Sequence, residues 1–194
     1  MKNLYPKIKF VYSLPYNRML AEYENKKFEE KKFSQEVKNY IKKLKTRWDK
    51  ISKKVFSALQ EITKNKWREK EIKCYVVKYC KYGGISSPLT LRVEKDFDLV
   101  IETLVHELAH IIVSYNFKKY KKIQKKLKKQ FPKENHWIIR HIYINFIELQ
   151  ALKRVFNQKF IEKIIKRNLS LKGGRTWKIV LAKENNLKKL FINL

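Results

Sequence analysis

The chain has little glycine, proline or cysteine, with four, four and two of these residues among 194. Cys74 and Cys80 are too few for a disulfide framework or a thiolate zinc site, so we expect buried free thiols on one face of a strand. No apolar run approaches the roughly 18 residues that span a bilayer, and the basic N-terminus lacks the apolar stretch of a signal peptide. We therefore expect a cytoplasmic protein without a membrane span.

Acidic residues are also scarce. The chain carries 18 acidic residues against 47 basic ones, which gives a formal net charge of +29. This excess indicates either a nucleic-acid or acidic-membrane partner, or lysines that simply coat solvated helix faces. The sequence shows no cluster of arginines and aromatic residues of the kind that reads nucleic-acid bases. We expect at least non-specific polyanion binding through the lysine-rich surface at low salt.

The apolar pattern predicts a mostly helical α+β protein. Residues 34–66 show the clearest helical period, with Ser34 as a plausible N-cap. Their apolar positions are Val37, Ile41, Leu44, Trp48, Ile51, Val55, Leu59 and Ile62. The segment "EIKCYVVKYCKY" alternates like a strand, and Gly83-Gly84 separates it from a second strand, Leu89 to Val93. Because Pro88 cannot donate to a ladder, this second strand is expected at a sheet edge or with Pro88 as its first residue.

The second half of the chain reads as a series of helices. Residues 97–115 form an apolar helix that follows an Asp96 or Asp98 cap. Residues 117–133 hold nine lysines on an amphipathic helix, and a long helical pattern runs from about 134 to 168. After Gly173-Gly174, two short closing helices are predicted to join at Asn185-Asn186. We see one domain over residues 1–194.

Histidine is rare as well, yet two of the four histidines lie four residues apart in "VHELAHII". On a helix, His106 and His110 project side by side and can both bind one metal ion. Glu107 is rotated by about 100° from His106, so it reaches past the ion and can take a proton from a metal-bound water. Two buried structural histidines are the alternative, but they would not require the intervening acid.

A catalytic zinc requires a third protein ligand. Glu148 is the only acid between Glu134 and Glu162, and apolar residues flank it on both sides. It shares a helix face with His141, and the small Ala151 continues that face. We predict Glu148 as the third ligand, with His136 or His141 as the alternatives.

The motif HELAH, followed after 37 residues by Glu148 in "IELQAL", resembles the zincin metallopeptidases, in particular the gluzincin branch. The chain is most similar to the small soluble minigluzincins. The resemblance implies a backing helix, a small mixed sheet with an edge strand, the HExxH helix and a glutamate helix over residues 34–168. Residues 1–33 then form an N-terminal extension and residues 169–194 the closing helices.

The resemblance implies a zinc-dependent metalloendopeptidase. One Zn²⁺ would be held by His106, His110 and Glu148, with Glu107 as general base. His141, on the helix face of Glu148, is the candidate donor to the oxyanion. A peptide or unfolded protein would pair with the edge strand Leu89–Val93. Two alternatives stay open: an SprT-like DNA-associated protease with a third histidine ligand, and a non-catalytic metal- or nucleic-acid-binding protein.

Overall fold

The computed structural model describes residues 5–171 and 173–192, and this part of the chain is α+β and mostly helical. The four strands are β1 (Lys7–Val11), β2 (Glu71–Val77), β3 (Gly84–Ser86) and β4 (Leu89–Arg92). The helices are α1 (Leu14–Tyr23), α2 (Glu30–Thr63), α3 (Phe97–Ser114), α4 (Phe117–Gln130), α5 (His136–Val155), α6 (Gln158–Ser170), α7 (Gly174–Ala182) and α8 (Glu184–Ile192). The predicted fold class is therefore confirmed at this level.

The sheet is mixed, with the strand order β1-β2-β4-β3. The strand β2 is parallel to both β1 and β4, whereas β3 and β4 are antiparallel. The prediction that Leu89–Val93 lies at the edge is wrong, because β3 covers the far side of β4 and becomes an edge itself. Pro88 is accommodated since it lies in the turn between the two strands, before the first residue of β4, where no ladder donor is required.

The N-terminal segment is part of the sheet. Strand β1, which the sequence did not predict, pairs with β2 from Lys7↔Glu71 to Val11↔Tyr75. After it, α1 buries Leu20 against Val77 and Cys80. Both cysteines are buried and free, as expected, although β2 ends before Cys80.

The buried side-chain amide of Asn17 connects α1 to the end of β2 through hydrogen bonds. Asn17 is 1% exposed, and its Nδ2 donates to the carbonyl oxygens of Ser13 at 2.9 Å and Val76 at 3.3 Å. Its Oδ1 accepts a hydrogen bond from the backbone N–H of Lys78 at 2.9 Å. Because buried backbone groups are costly to leave without a partner, this side chain completes the end of the strand.

The long helix α2 follows the predicted apolar period, since Val37, Leu44, Trp48, Val55 and Leu59 are all buried. It begins four residues earlier than predicted, and Ser34 lies inside it rather than at its N-cap. The Phe33 N–H already donates to the Glu29 carbonyl oxygen at 2.9 Å, so the helical ladder is established before Ser34.

The helices after the sheet agree with the pattern in α3 and α4 but differ further along. The predicted helix over 134–168 is divided into α5 and α6, because Asn157 caps α6 by accepting a hydrogen bond from the Phe160 N–H at 3.0 Å. The closing helices α7 and α8 join at Lys183 and not at Asn185-Asn186. A short polar residue inside an otherwise apolar period was the signal for the break after Phe156.

The chain forms two compact units. One comprises Met1–Ser57 with Trp67–Leu108, and the other comprises Ala58–Lys66 with Ala109–Leu194. The first contains the sheet with α1, and the second contains α4 to α8. None of the helices in the described ranges is long and apolar enough to cross a membrane.

The hydrogen bonds of Asn17 predict a specific loss of stability. Replacing Asn17 with Ala removes its hydrogen bonds to the buried Val76 carbonyl and the partly buried Lys78 N–H, so we expect the free energy of unfolding to fall by about 2–3 kcal/mol. The exposed Asn39→Ala is the control and should change it by less than about 0.5 kcal/mol. Urea unfolding of both variants measures this, and an equal effect of the two would remove the role assigned to Asn17.

Candidate metal centre

The HExxH motif lies on helix α3, among mostly apolar residues. Asp96 directly precedes the helix, and its Oδ1 accepts a hydrogen bond from the Asp98 N–H at 3.0 Å. Five apolar residues around the motif are fully buried: Leu104, Val105, Leu108, Ala109 and Ile112. His106 and His110 are half-buried and one turn apart, so the two imidazoles share one face of the helix.

A third histidine comes from α5. That helix begins after Asn135, whose Oδ1 accepts a hydrogen bond from the Ile138 N–H at 2.9 Å. His141 lies in its second turn, with its ring centroid 5.3 Å from that of His110.

Trp137 fixes the imidazole of His141 in two ways. The two rings stack with centroids 4.0 Å apart, and the Nδ1 of His141 lies 2.9 Å from the Trp137 carbonyl oxygen. Because a carbonyl oxygen can only accept, Nδ1 is the donor and carries the proton. That tautomer makes Nε2 the nitrogen that would bind a metal, which is the usual arrangement around a ligating histidine.

His106, His110 and His141 together form a group that could hold a metal ion. Each offers one ring nitrogen, and these atoms all lie within 4.8 Å of one another. Three neutral imidazoles are a donor set that suits zinc and leaves a fourth position open for water or substrate. The residues present therefore fit the predicted zinc ion, and the group includes His141, one of the alternatives to Glu148 as third ligand.

Glu148, the predicted third ligand, lies outside the three-histidine group. It is 0% exposed on α5, two turns beyond His141, and it stays a predicted ligand. Between them, Asn145 is also buried, but its Nδ2 donates to the Thr176 hydroxyl on α7 at 2.8 Å. His136 is exposed at the start of α5 and is not in the group either. The structure thus brings His141, predicted as an oxyanion donor, to the two histidines of the motif.

The carboxylate of Glu107 is held close to β3. Glu107 is 8% exposed, and a Cβ atom added to Gly84 would meet its Oε1 at 2.9 Å and its Cγ at 3.0 Å. Burial raises the pKa of Glu107, an effect that the charge of His106 opposes and that of Glu102 increases. A buried carboxylate with a raised pKa is a better proton acceptor than one in water.

The same environment keeps Cys74 inert. Burial raises the pKa of this thiol far above its ordinary value, and the negative charge of Glu107 adds to the effect. The thiol therefore stays protonated at neutral pH, and it provides neither a nucleophile nor a thiolate ligand.

Two residues that support the site were not predicted. Gly84 was read only as a chain break, although a glycine at the start of a strand can also mark a close approach of another group. Trp137 gave no signal, because its role depends on a backbone carbonyl and on the ring of a residue one turn later.

The fold and the site define an α+β protein with a three-histidine group and a buried glutamate beside the first histidine. No protein-family model, curated protein or solved structure matches the chain. Its chemistry is therefore argued from these residues themselves.

The close approach of Gly84 predicts that even alanine is poorly tolerated there. The added methyl group would lie 2.7 Å from Cγ2 of Thr103 as well as against Glu107, so we expect Gly84→Ala to cost about 1–3 kcal/mol of unfolding free energy. Thr103→Ser removes Cγ2 and keeps the hydroxyl.

The double variant Gly84→Ala/Thr103→Ser should recover part of the lost stability, measured by thermal unfolding of all four proteins. If the effects of the two substitutions simply add, the backbone of β3 is not packed against α3 as described.

Proposed function

We propose that the protein is a zinc-dependent metallopeptidase. The observation that carries the proposal is the group of His106, His110 and His141, whose ring nitrogens lie within 4.8 Å of one another. Glu107 follows the first of these histidines directly and is buried on the same helix. Ligands and an adjacent proton acceptor are the two parts that metal-assisted hydrolysis requires.

In this proposal the three histidines hold one zinc ion. Zinc, when bound, lowers the pKa of a water molecule and polarises the carbonyl group that is attacked. Trp137 contributes by fixing the tautomer of His141. The chain thus supplies ligands from two helices, α3 and α5, and a support for the ligand that comes from outside the motif.

Glu107 is the general base and then the general acid. Its carboxylate takes the proton of the attacking water and passes it to the leaving amine. Its position on α3, next to a ligand instead of four residues away, leaves it available for this transfer. Gly84 keeps the carboxylate in place by allowing the backbone of β3 to come close.

An extended peptide is the substrate that suits the sheet. Strand β3 is an edge strand, and Gly84 at its start approaches the Glu107 carboxylate. A peptide or unfolded segment that adds to this edge would have its backbone ordered beside the proton acceptor. The role proposed from the sequence for Leu89–Val93 therefore passes to β3.

The identity of the third ligand distinguishes between two branches of the metallopeptidases. His141 in the group favours the alternative with a third histidine, as in SprT-like proteases, over a gluzincin with Glu148. The proposed chemistry is the same in both, since Glu107 and the motif histidines keep their roles.

The proposal is tested by Glu107→Gln. The variant keeps the three histidines, so it should bind as much zinc as the wild type after dialysis. It should hydrolyse an unfolded protein roughly 10²–10⁴-fold more slowly, because the proton acceptor is lost. Elemental analysis and a fluorescent casein assay measure the two quantities.

Glu69→Gln, on an exposed residue that precedes β2, is the matched control and should leave both unchanged. A zinc-loaded wild type without activity on any unfolded substrate contradicts the peptidase proposal, and so does Glu107→Gln that retains wild-type turnover.

A further inference from the structure

A cavity of about 470 Å³ lies between α4 and the beginning of α5. It is lined by Lys121, Gln124, Lys125, Lys128, His136 and Ile139. The volume is within the range of small-molecule sites in proteins. None of the three histidines of the metal group lines it, so the cavity is a feature separate from the proposed catalytic centre.

The cavity is strongly cationic. Three of the lining residues are lysines, and none is acidic. The nearest acid in sequence, Glu134, is engaged by Arg175, whose Nε donates to both carboxylate oxygens at 3.0 and 2.9 Å. Eight of the 14 residues of α4 are lysine and none is acidic, so little negative charge offsets these ammonium groups. A ligand with negative charge is therefore favoured.

Two features make the cavity more than a charged surface. Lys128, which lines the cavity, is oriented because its ammonium donates to the carbonyl oxygens of Pro132 at 2.9 Å and Glu134 at 2.7 Å. Ile139 contributes a small apolar part of the lining, and Gln124 offers an amide. A ligand that joins an anionic group to a larger, partly apolar body matches this lining better than a bare ion does.

The apolar face of α4 argues against a membrane as the partner. Tyr120, Ile123 and Leu127 are buried inside the protein, so this helix has no apolar stripe to insert among lipid chains. A concave site also binds a protruding chemical group better than it binds the flat surface of a membrane.

We propose that this cavity binds a nucleoside phosphate, with the phosphate on Lys121 and Lys125 and the nucleoside in the part of the cavity lined by Gln124 and Ile139. The nucleoside phosphate could belong to a single-stranded nucleic acid or be a free nucleotide, since both carry a phosphate joined to a nucleoside. The net charge of +29 would draw either to the protein, and the cavity gives the attraction a defined position.

Two double variants of the full chain test the proposal. Lys121→Gln/Lys125→Gln removes the two cavity lysines, and Lys122→Gln/Lys126→Gln removes two exposed lysines of the same helix that do not line the cavity. Both lower the net charge equally. The probes are thymidine monophosphate, a short oligothymidylate, and vesicles of phosphatidylserine and phosphatidylcholine, with dissociation constants measured at fixed salt.

We expect the cavity variant to bind nucleotide probes about tenfold more weakly than the wild type, and the control variant to lose no more than about twofold. If the cavity variant alone loses affinity for both nucleotide probes, the site binds free nucleotides as well as single strands. If it loses affinity only for the oligothymidylate, the site binds single strands. Equal losses in the two variants overturn the proposal, as does binding to vesicles without binding to either nucleotide probe.

Discussion

The four-residue spacing of two histidines on a rigid apolar helix is the constraint on which the site depends. It places His106 and His110 on one face of α3, whose neighbouring residues Leu104, Val105, Leu108 and Ala109 are buried. Glu107 then lies next to a motif histidine and is buried there, and this burial raises its pKa. The glycine at position 84 follows from the same constraint, because a larger residue would collide with this carboxylate.

Much of the fold was predictable because it depends on local periodicity. The apolar stripe of α2, the motif helix α3 and the lysine-rich α4 follow from the spacing of residues within each segment. The strand β1 could not be predicted, since "KIKFV" is short and becomes a strand only through its pairing with β2. The edge position was assigned wrongly for a similar reason. Pro88 restricts one residue, but which strand lies outermost is decided by the three-residue partner β3.

The candidate site shows the same limit. The motif residues are contiguous in sequence, so their mutual geometry follows from the helix alone. A third ligand has to come from another helix, and His141, Asn145 and Glu148 share one face of α5. Periodicity cannot rank residues on one face, because the choice depends on the position of α5 and on local hydrogen bonds. Asn145 is directed to Thr176, whereas His141 is oriented by Trp137 and joins the motif histidines.

We propose that His106, His110 and His141 hold one zinc ion, and an anomalous difference map at the zinc absorption edge, from crystals of the zinc-loaded protein, tests this. We expect a single peak about 2.0–2.1 Å from one ring nitrogen of each histidine. A peak on His106, His110 and Glu148 with His141 at a distance, or the absence of a peak at these residues, would contradict it.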